Sequence, residues 1–323
     1  MVGRDYPEAR KDDRTVNRFE AEVCTTAPVF LGECCRWDDA HQELLWVNQT
    51  PGPGQLYRAT VDGSEVTIVH RYDFHGSPSA FAPIEGGDAG WIVAIDRSLW
   101  RVQRDGRMVE VAAPYAQDDS TIHLNDGAAD PRGRFWIGSM ANDAAVGRAA
   151  LFRFDASEGL RTIIEGITIS NGIAWSPTGD TMYHVDSGPG TIRAFDVDGD
   201  GEISHMRPFA QFDVAREGTP DGICIDEHGG MWVAVWGGYE VRHYSPEGEL
   251  VGRVHVDTAQ PSSCALGGVD GTTLYITTAQ EDLSTAQLAA EPHAGRLFCA
   301  DVGVRGIPMH TFEMVDTTNR RTK

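Results

Sequence analysis

The chain has 323 residues, with 48 Asp and Glu against 27 Lys and Arg and a formal net charge of −21. Hydrophobic residues make up 41% of it, enough to bury a large core, which excludes wholesale disorder. The acidity argues against a nucleic-acid partner, because proteins that bind the phosphate backbone meet it with clustered positive charge.

The first thirty residues are charged and lack an apolar stretch, so they predict no secretory signal. No run approaches about 18 consecutive apolar residues, which predicts no membrane span and no membrane partner. The six cysteines show no C-x-x-C spacing. We therefore expect reduced thiols in a cytoplasmic protein.

Beyond a charged lead-in over residues 1–16, one short pattern recurs along the chain: a turn, then an apolar run that carries an aromatic residue. The copies begin at Gln42, Asp88, Gly133, Asp180, Gly229 and Thr272. Their spacing of about 46 residues lies in the range of propeller blades. A strand-like segment precedes each copy and two more follow it, mostly joined by Gly-containing turns.

Four strands in each of six units predict an all-β fold, a six-bladed β-propeller with four antiparallel strands per blade. We expect it to occupy residues 17–315 as a single domain, followed by a polar tail over residues 316–323. A strand near Arg18–Cys24 is expected to complete the last blade and so close the ring.

In a propeller the first strand of each blade lines the central channel. The leading positions of these six strands hold Glu33, Ser79, Asn125, Asn171, Asp221 and Ser263. Two carboxylates and two carboxamides converging on one axis favour a hard cation such as Ca²⁺, Mg²⁺ or Mn²⁺. The alternative is that pairs such as Asn171-Gly172 and Asp221-Gly222 are ordinary turn formers without a function.

The motifs around these residues resemble the gluconolactonase, regucalcin and luciferin-regenerating-enzyme family. They are LGECCRWD with Glu33, NDGAADPRGRFWIGSM with Asn125, ISNGIAWSPTGDTMYHVDS with Asn171 and TPDGICIDEHGGMWVAVWGG with Asp221. The resemblance implies that Glu33, Asn171 and Asp221 hold one divalent cation in the central channel, with Ca²⁺ favoured and Zn²⁺, Mg²⁺ or Mn²⁺ as alternatives. It also implies that Asp221 is the catalytic base and that Asn125 contacts the substrate or a metal-bound water.

The sequence departs from the family pattern at several positions. Cys34 and Cys35 follow Glu33, where the family often has a small residue and Pro. His123 stands where some sugar lactonases carry Arg, and of the neighbours Asn142 and Asp143 the spacing favours Asp143 for an acidic substrate-binding position. We expect His123, Asn125 and Asp143 to hydrogen-bond the substrate.

The resulting hypothesis is a divalent-metal-dependent hydrolase that opens a small lactone, in particular a sugar (aldono-) lactone. The cation would polarise the carbonyl, and an activated water would attack it. Two alternatives stay open: a metal-dependent hydrolase of aryl esters or organophosphates, and a non-catalytic calcium-binding scaffold. The sequence leaves the oligomeric state open.

Overall fold

A computed structural model describes residues 16–86, 89–115 and 120–314 of the chain. Within them, six β-sheets follow one another in chain order. The expected lead-in up to residue 15 and the tail over 316–323 lie outside the described residues. The sheets are the blades of a six-bladed β-propeller with four antiparallel strands per blade, as the repeat predicts.

The first half of the propeller consists of two N-terminal strands and three blades. The N-terminal strands are β1 (Asn17–Glu20) and β2 (Glu22–Val23). Blade one contains β3 (Gly32–Asp38), β4 (Glu43–Asn48), β5 (Gln55–Asp62) and β6 (Glu65–Asp73). Blade two contains β7 (Pro78–Pro83), β8 (Trp91–Ile95), β9 (Ser98–Val102) and β10 (Met108–Ala112). Blade three contains β11 (Ile122–Ala129), β12 (Phe135–Ala141), β13 (Ala149–Asp155) and β14 (Gly159–Ile167).

The second half adds three blades and two short helices. Blade four contains β15 (Ser170–Trp175), β16 (Thr181–Asp186), β17 (Thr191–Val197) and β18 (Ile203–Gln211), and α1 (Val214–Glu217) follows it. Blade five contains β19 (Thr219–Ile225), β20 (Met231–Trp236), β21 (Glu240–Tyr244) and β22 (Leu250–His255). Blade six contains β23 (Pro261–Gly267), β24 (Thr273–Thr278), α2 (Thr285–Ala290) and β25 (Phe298–Asp301).

The repeated aromatic residue packs in the second strand of every blade. These side chains are all buried: Trp46, Trp91, Trp136, Tyr183, Trp232 and Tyr275. Each buries a large apolar surface, so one such residue per blade makes a substantial contribution to the core. The pattern that repeats along the sequence therefore consists of the aromatic residues that pack in the core of each blade.

The N-terminal strands close the ring on two blades. β2 pairs antiparallel with β25 and supplies the fourth strand of blade six, as expected. β1 does not join that blade: it pairs in parallel with β22 as a fifth strand of blade five. The expectation for Arg18–Cys24 is thus correct for the second half of the segment and wrong for the first.

A C-terminal strap, residues 306–312, crosses the far end of the channel. It is anchored by a β-bridge from Gly306 to Asp226 in blade five and another from Phe312 to Ile84 in blade two. Between the strap and the ends of the innermost strands lies a mainly apolar cavity of about 100 Å³. The far end of the channel is therefore covered by the chain itself.

All six cysteines are free thiols, in agreement with the expectation of reduced cysteines. The sulfurs of Cys224 and Cys264 lie 3.7 Å apart on the inner strands of blades five and six. No helix in the described ranges combines the length and apolarity that a membrane crossing requires.

Candidate functional site

Each innermost strand carries a register shift at its leading polar residue. The shifts fall between Glu33 and Arg36 in β3, Ser170 and Ile173 in β15, and Pro220 and Ile223 in β19. The remaining inner strands, β7, β11 and β23, carry comparable shifts. A bulge releases residues from the pairing ladder and redirects their side chains, and such bulges are frequent beside active sites. This geometry explains how Asn171 and Asp221 leave the ladder at the channel.

The Asn-Gly and Asp-Gly pairs lie inside strands, so the turn-former alternative does not account for them. A Cβ on Gly172 would lie 2.5 Å from the backbone oxygen of Asp221, and one on Gly222 would lie 2.8 Å from the Cα of Ser263. Real Cβ atoms do not approach other atoms so closely. The two glycines therefore allow the inner strands of blades four, five and six to pack close together, which brings Asn171 next to Asp221.

Two carboxylates of the inner strands, Glu33 and Asp221, lie close enough for their charges to interact. Burial, followed by repulsion from Asp221 and Asp126, raises the pKa of Glu33 well above its ordinary value. Burial, followed by repulsion from Asp126 and Glu281, likewise raises the pKa of Asp221. A hydrogen bond from the Asn171 side chain and one from the Gly222 amide offset only part of the effect on Asp221. The arrangement concentrates negative charge where water is largely excluded.

Two amide side chains are held with their nitrogens toward the protein. The hydroxyl of Ser187 donates to the Pro220 carbonyl at 2.6 Å, so it accepts the 3.1 Å hydrogen bond from Asn171 Nδ2. Asn125 Nδ2 donates to the Ser170 carbonyl at 2.9 Å. Because both nitrogens are engaged, the carbonyl oxygens are the atoms left for a ligand.

This donor set fits a divalent cation. Asp221 Oδ1 is buried and has no hydrogen-bond partner, which is costly for a carboxylate oxygen unless a positive charge lies beside it. Glu33, Asn171 and Asp221 supply only oxygen atoms, the ligands that hard cations prefer. No cluster of three or more His, Cys, Asp or Glu side chains suited to a metal occurs in the described ranges. The set here consists instead of two carboxylates and one amide.

Arg36 and Asp126 form the floor of the site, and the sequence motifs did not single them out as a pair. The Arg36 guanidinium donates to the carbonyls of Cys35 (2.8 Å) and Gly127 (3.1 Å) and lies 3.8 Å from Asp126 Oδ1. Burial raises the pKa of Asp126, and Arg36 opposes that rise. Arg36 also borders the cavity above the strap. It therefore places one positive charge between Asp126 and that cavity.

A cleft of about 430 Å³ opens at the leading ends of the inner strands, opposite the strap. Blades one, two and three line it, together with Glu281 after β24. Because Glu281 also acts on the charge of Asp221, the cleft and the carboxylate pair adjoin each other.

The three expected substrate-binding residues are placed differently. His123 lines the cleft, whereas Asn125 lies two residues deeper on the same strand, at the bulge of β11. Asp143 is exposed, and its Oδ1 accepts a hydrogen bond from the Ala145 amide at 3.1 Å. Its neighbour Asn142 lines the cleft instead and contacts His123. The spacing favours Asp143, whereas the structure places Asn142 at the cleft.

A family model described as SMP-30/Gluconolactonase/LRE-like region matches residues 31–280. The chain belongs to this family. Among curated relatives, an L-arabinolactonase from Azospirillum brasilense is 35% identical over 288 residues, which are 87% of this chain and 92% of that protein. A 6-deoxy-6-sulfogluconolactonase from Pseudomonas putida is 30% identical over 279 residues, 86% of this chain and 94% of that protein.

A solved structure of a regucalcin from Agrobacterium tumefaciens strain C58, described as a calcium-binding protein, has the same fold. The two structures superpose with a TM-score of 0.82 at 26% identity, covering 92% of this chain and 99% of the other. The family membership predicted from the motifs is thereby confirmed.

Proposed function

We propose that this protein is a divalent-metal-dependent lactonase that opens a small lactone, in particular an aldonolactone. Two relatives that align over most of its length are named as sugar lactonases, which supports this reaction class. A calcium-binding structural relative supports a divalent cation, with Ca²⁺ the first candidate.

The observation that carries the proposal is the buried Asp221 Oδ1, which has no hydrogen-bond partner and lies in a channel that also holds Glu33. Two carboxylates that repel each other are stabilised by a cation between them. In a hydrolase, a water-poor site also makes charge interactions stronger at the reacting atoms.

In the proposed mechanism Glu33, Asn171 and Asp221 would hold the cation. A divalent cation bound there supplies Lewis acidity toward a carbonyl group and toward water. Asp221 accepts a proton from the attacking water as the water oxygen bonds to the lactone carbonyl carbon. The same carboxyl then protonates the ring oxygen as the ring C–O bond breaks, which gives the open hydroxy acid. Asn125 offers its carbonyl oxygen to the water or to a substrate hydroxyl.

The decisive experiment measures the hydrolysis of a panel of lactones, with the release of acid as the readout. The protein is chelated and then assayed alone and after addition of Ca²⁺, Mg²⁺, Mn²⁺ or Zn²⁺. Asp221→Asn keeps the shape of the side chain and removes the base, so we expect a loss of at least about 100-fold in kcat. Asp270→Asn, at an exposed site, serves as the matched control.

Three outcomes would contradict the proposal. Unchanged hydrolysis by Asp221→Asn would remove Asp221 from the mechanism. Cation binding without hydrolysis of any ester would favour the calcium-binding scaffold. Faster turnover of aryl esters or organophosphates than of every lactone would favour the other hydrolase class.

A further inference from the structure

His123 and Asn142 form a contact at the cleft that the reaction as described above does not use. His123 lies near the start of β11, and Asn142 directly follows β12, so both stand at the same end of blade three. His123 Nδ1 and Asn142 Oδ1 are 2.7 Å apart, and both residues line the cleft.

The hydrogen-bond directions in this contact follow from one carbonyl group. Asn142 Nδ2 lies 2.8 Å from the Ser120 carbonyl oxygen, which can only accept. The amide nitrogen of Asn142 must therefore face Ser120, and its oxygen must face His123. Since that oxygen also only accepts, the hydrogen must be on Nδ1 of His123.

A neutral imidazole with its hydrogen on Nδ1 has a lone pair on Nε2. In the described part of the chain, His123 makes no other hydrogen bond. Nε2 is thus available as an acceptor in the cleft, where a hydroxyl group can donate to it. A carboxylate or sulfonate oxygen has no hydrogen to donate, so it could not make this hydrogen bond to the neutral ring.

We propose that Asn142 is a positioning residue that holds His123 in the Nδ1–H tautomer, so that Nε2 accepts a hydrogen bond from a substrate hydroxyl. The substrate class that follows is a lactone whose ring carries a neutral hydroxyl group at this point. This deepens the proposed function and rests on it for the identity of the substrate.

The first test reads the tautomer directly and needs no substrate. Long-range ¹H–¹⁵N spectra of the metal-loaded protein distinguish Nδ1–H from Nε2–H imidazoles, and the signals lost in His123→Gln assign this ring. We expect the Nδ1–H pattern in the unmutated protein and in Asn142→Asp, which keeps an acceptor. Asn142→Ala should shift the ring to the Nε2–H form, which would then place a donor toward the cleft.

The second test uses two substrates, a polyhydroxylated aldonolactone and an unsubstituted lactone of the same ring size. Asn142→Ala should raise KM for the hydroxylated lactone about tenfold, because the hydrogen bond from the substrate hydroxyl to His123 is lost. We expect kcat to change less than about twofold. KM for the unsubstituted lactone should not change. Asn17→Ala, on an exposed outer strand, is the matched control, and thermal unfolding verifies that each variant folds.

An Nε2–H pattern in the unmutated protein would overturn the positioning role. The positioning role would also be overturned if Asp143→Ala changed the tautomer and KM and Asn142→Ala did not. Equal rises in KM for both lactones would overturn the hydroxyl contact. An Nδ1–H ring in a protein that hydrolyses no lactone would instead overturn the proposed function and leave the positioning role supported.

Discussion

The buried imidazole of His184 makes the stability of this propeller depend on pH in a calculable way. His184 is fully buried in β16, with Nε2 2.8 Å from the Ser170 hydroxyl and Nδ1 without a hydrogen-bond partner. Burial, followed by the positive charge of Arg193, lowers its pKa from an ordinary value of 6.5 to about 3. The folded protein therefore keeps this ring neutral over a range in which the unfolded chain protonates it.

The sign and size of the effect follow from that difference. Well above pH 6.5 neither state binds the proton, and His184 has no effect on the pH dependence. Between pH 6.5 and 3 the unfolded state holds the extra proton, so the free energy of unfolding falls as the pH falls. One pH unit corresponds to about 1.4 kcal/mol, so lowering the pH from 6.5 to 5.0 costs about 2 kcal/mol.

The assay is urea unfolding of the chelated protein at pH 7.0 and 5.0, for the unmutated chain and for His184→Gln. Gln offers a nitrogen to Ser170 and does not titrate. Every other group titrates in both proteins, so its contribution to the pH dependence cancels when the two are compared. We expect the loss on acidification to be about 2 kcal/mol smaller in the variant. His228→Gln, which removes an exposed ring, should lose as much as the unmutated chain. Equal losses in all three proteins would refute the reasoning.

Three other substitutions test the fold and the site. Asp130→Asn should lower the free energy of unfolding by about 3–5 kcal/mol in urea, because it leaves the buried Arg134 guanidinium without its carboxylate. Gly172→Ala should weaken cation binding at least about tenfold by calorimetry, since its Cβ forces apart the strands that hold the ligands; Gly199→Ala, in open space, is the control. Ala21→Pro removes the hydrogen bond from Ala21 N to the His255 carbonyl and should lower Tm by a few degrees without changing kcat. An unchanged free energy of unfolding, an unchanged cation affinity or an unchanged Tm would contradict the corresponding argument.

The blades were predictable because their signal is local. Each blade repeats one aromatic residue in its second strand, and the same residue fills the core, as Trp46 and Trp136 do. The leading polar residues could be found for the same reason, since each stands about 12 positions before that aromatic. Periodicity therefore led to the fold and to the candidate ligands together.

Other features depend on contacts or on single-residue register that periodicity does not contain. Arg36 meets Asp126 from a different blade, 90 positions further along the chain, so no local pattern links them. The choice between Asn142 and Asp143 depends on how the backbone turns after β12, and a shift of one residue there changes which side chain enters the cleft. The parallel pairing of β1 with blade five also follows from tertiary packing.

The way the ring closes has a consequence for synthesis on the ribosome. The strands β1 and β2 are made first, yet their partners lie around Gly252–His255 and Phe298–Cys299, near the end of the chain. Until those residues emerge, both strands have unpaired edges. Such edges are prone to association with other chains, and loops that span most of the sequence close slowly. We therefore expect nascent chains that stop before Phe298 to depend on chaperones, whereas the completed chain closes its own ring.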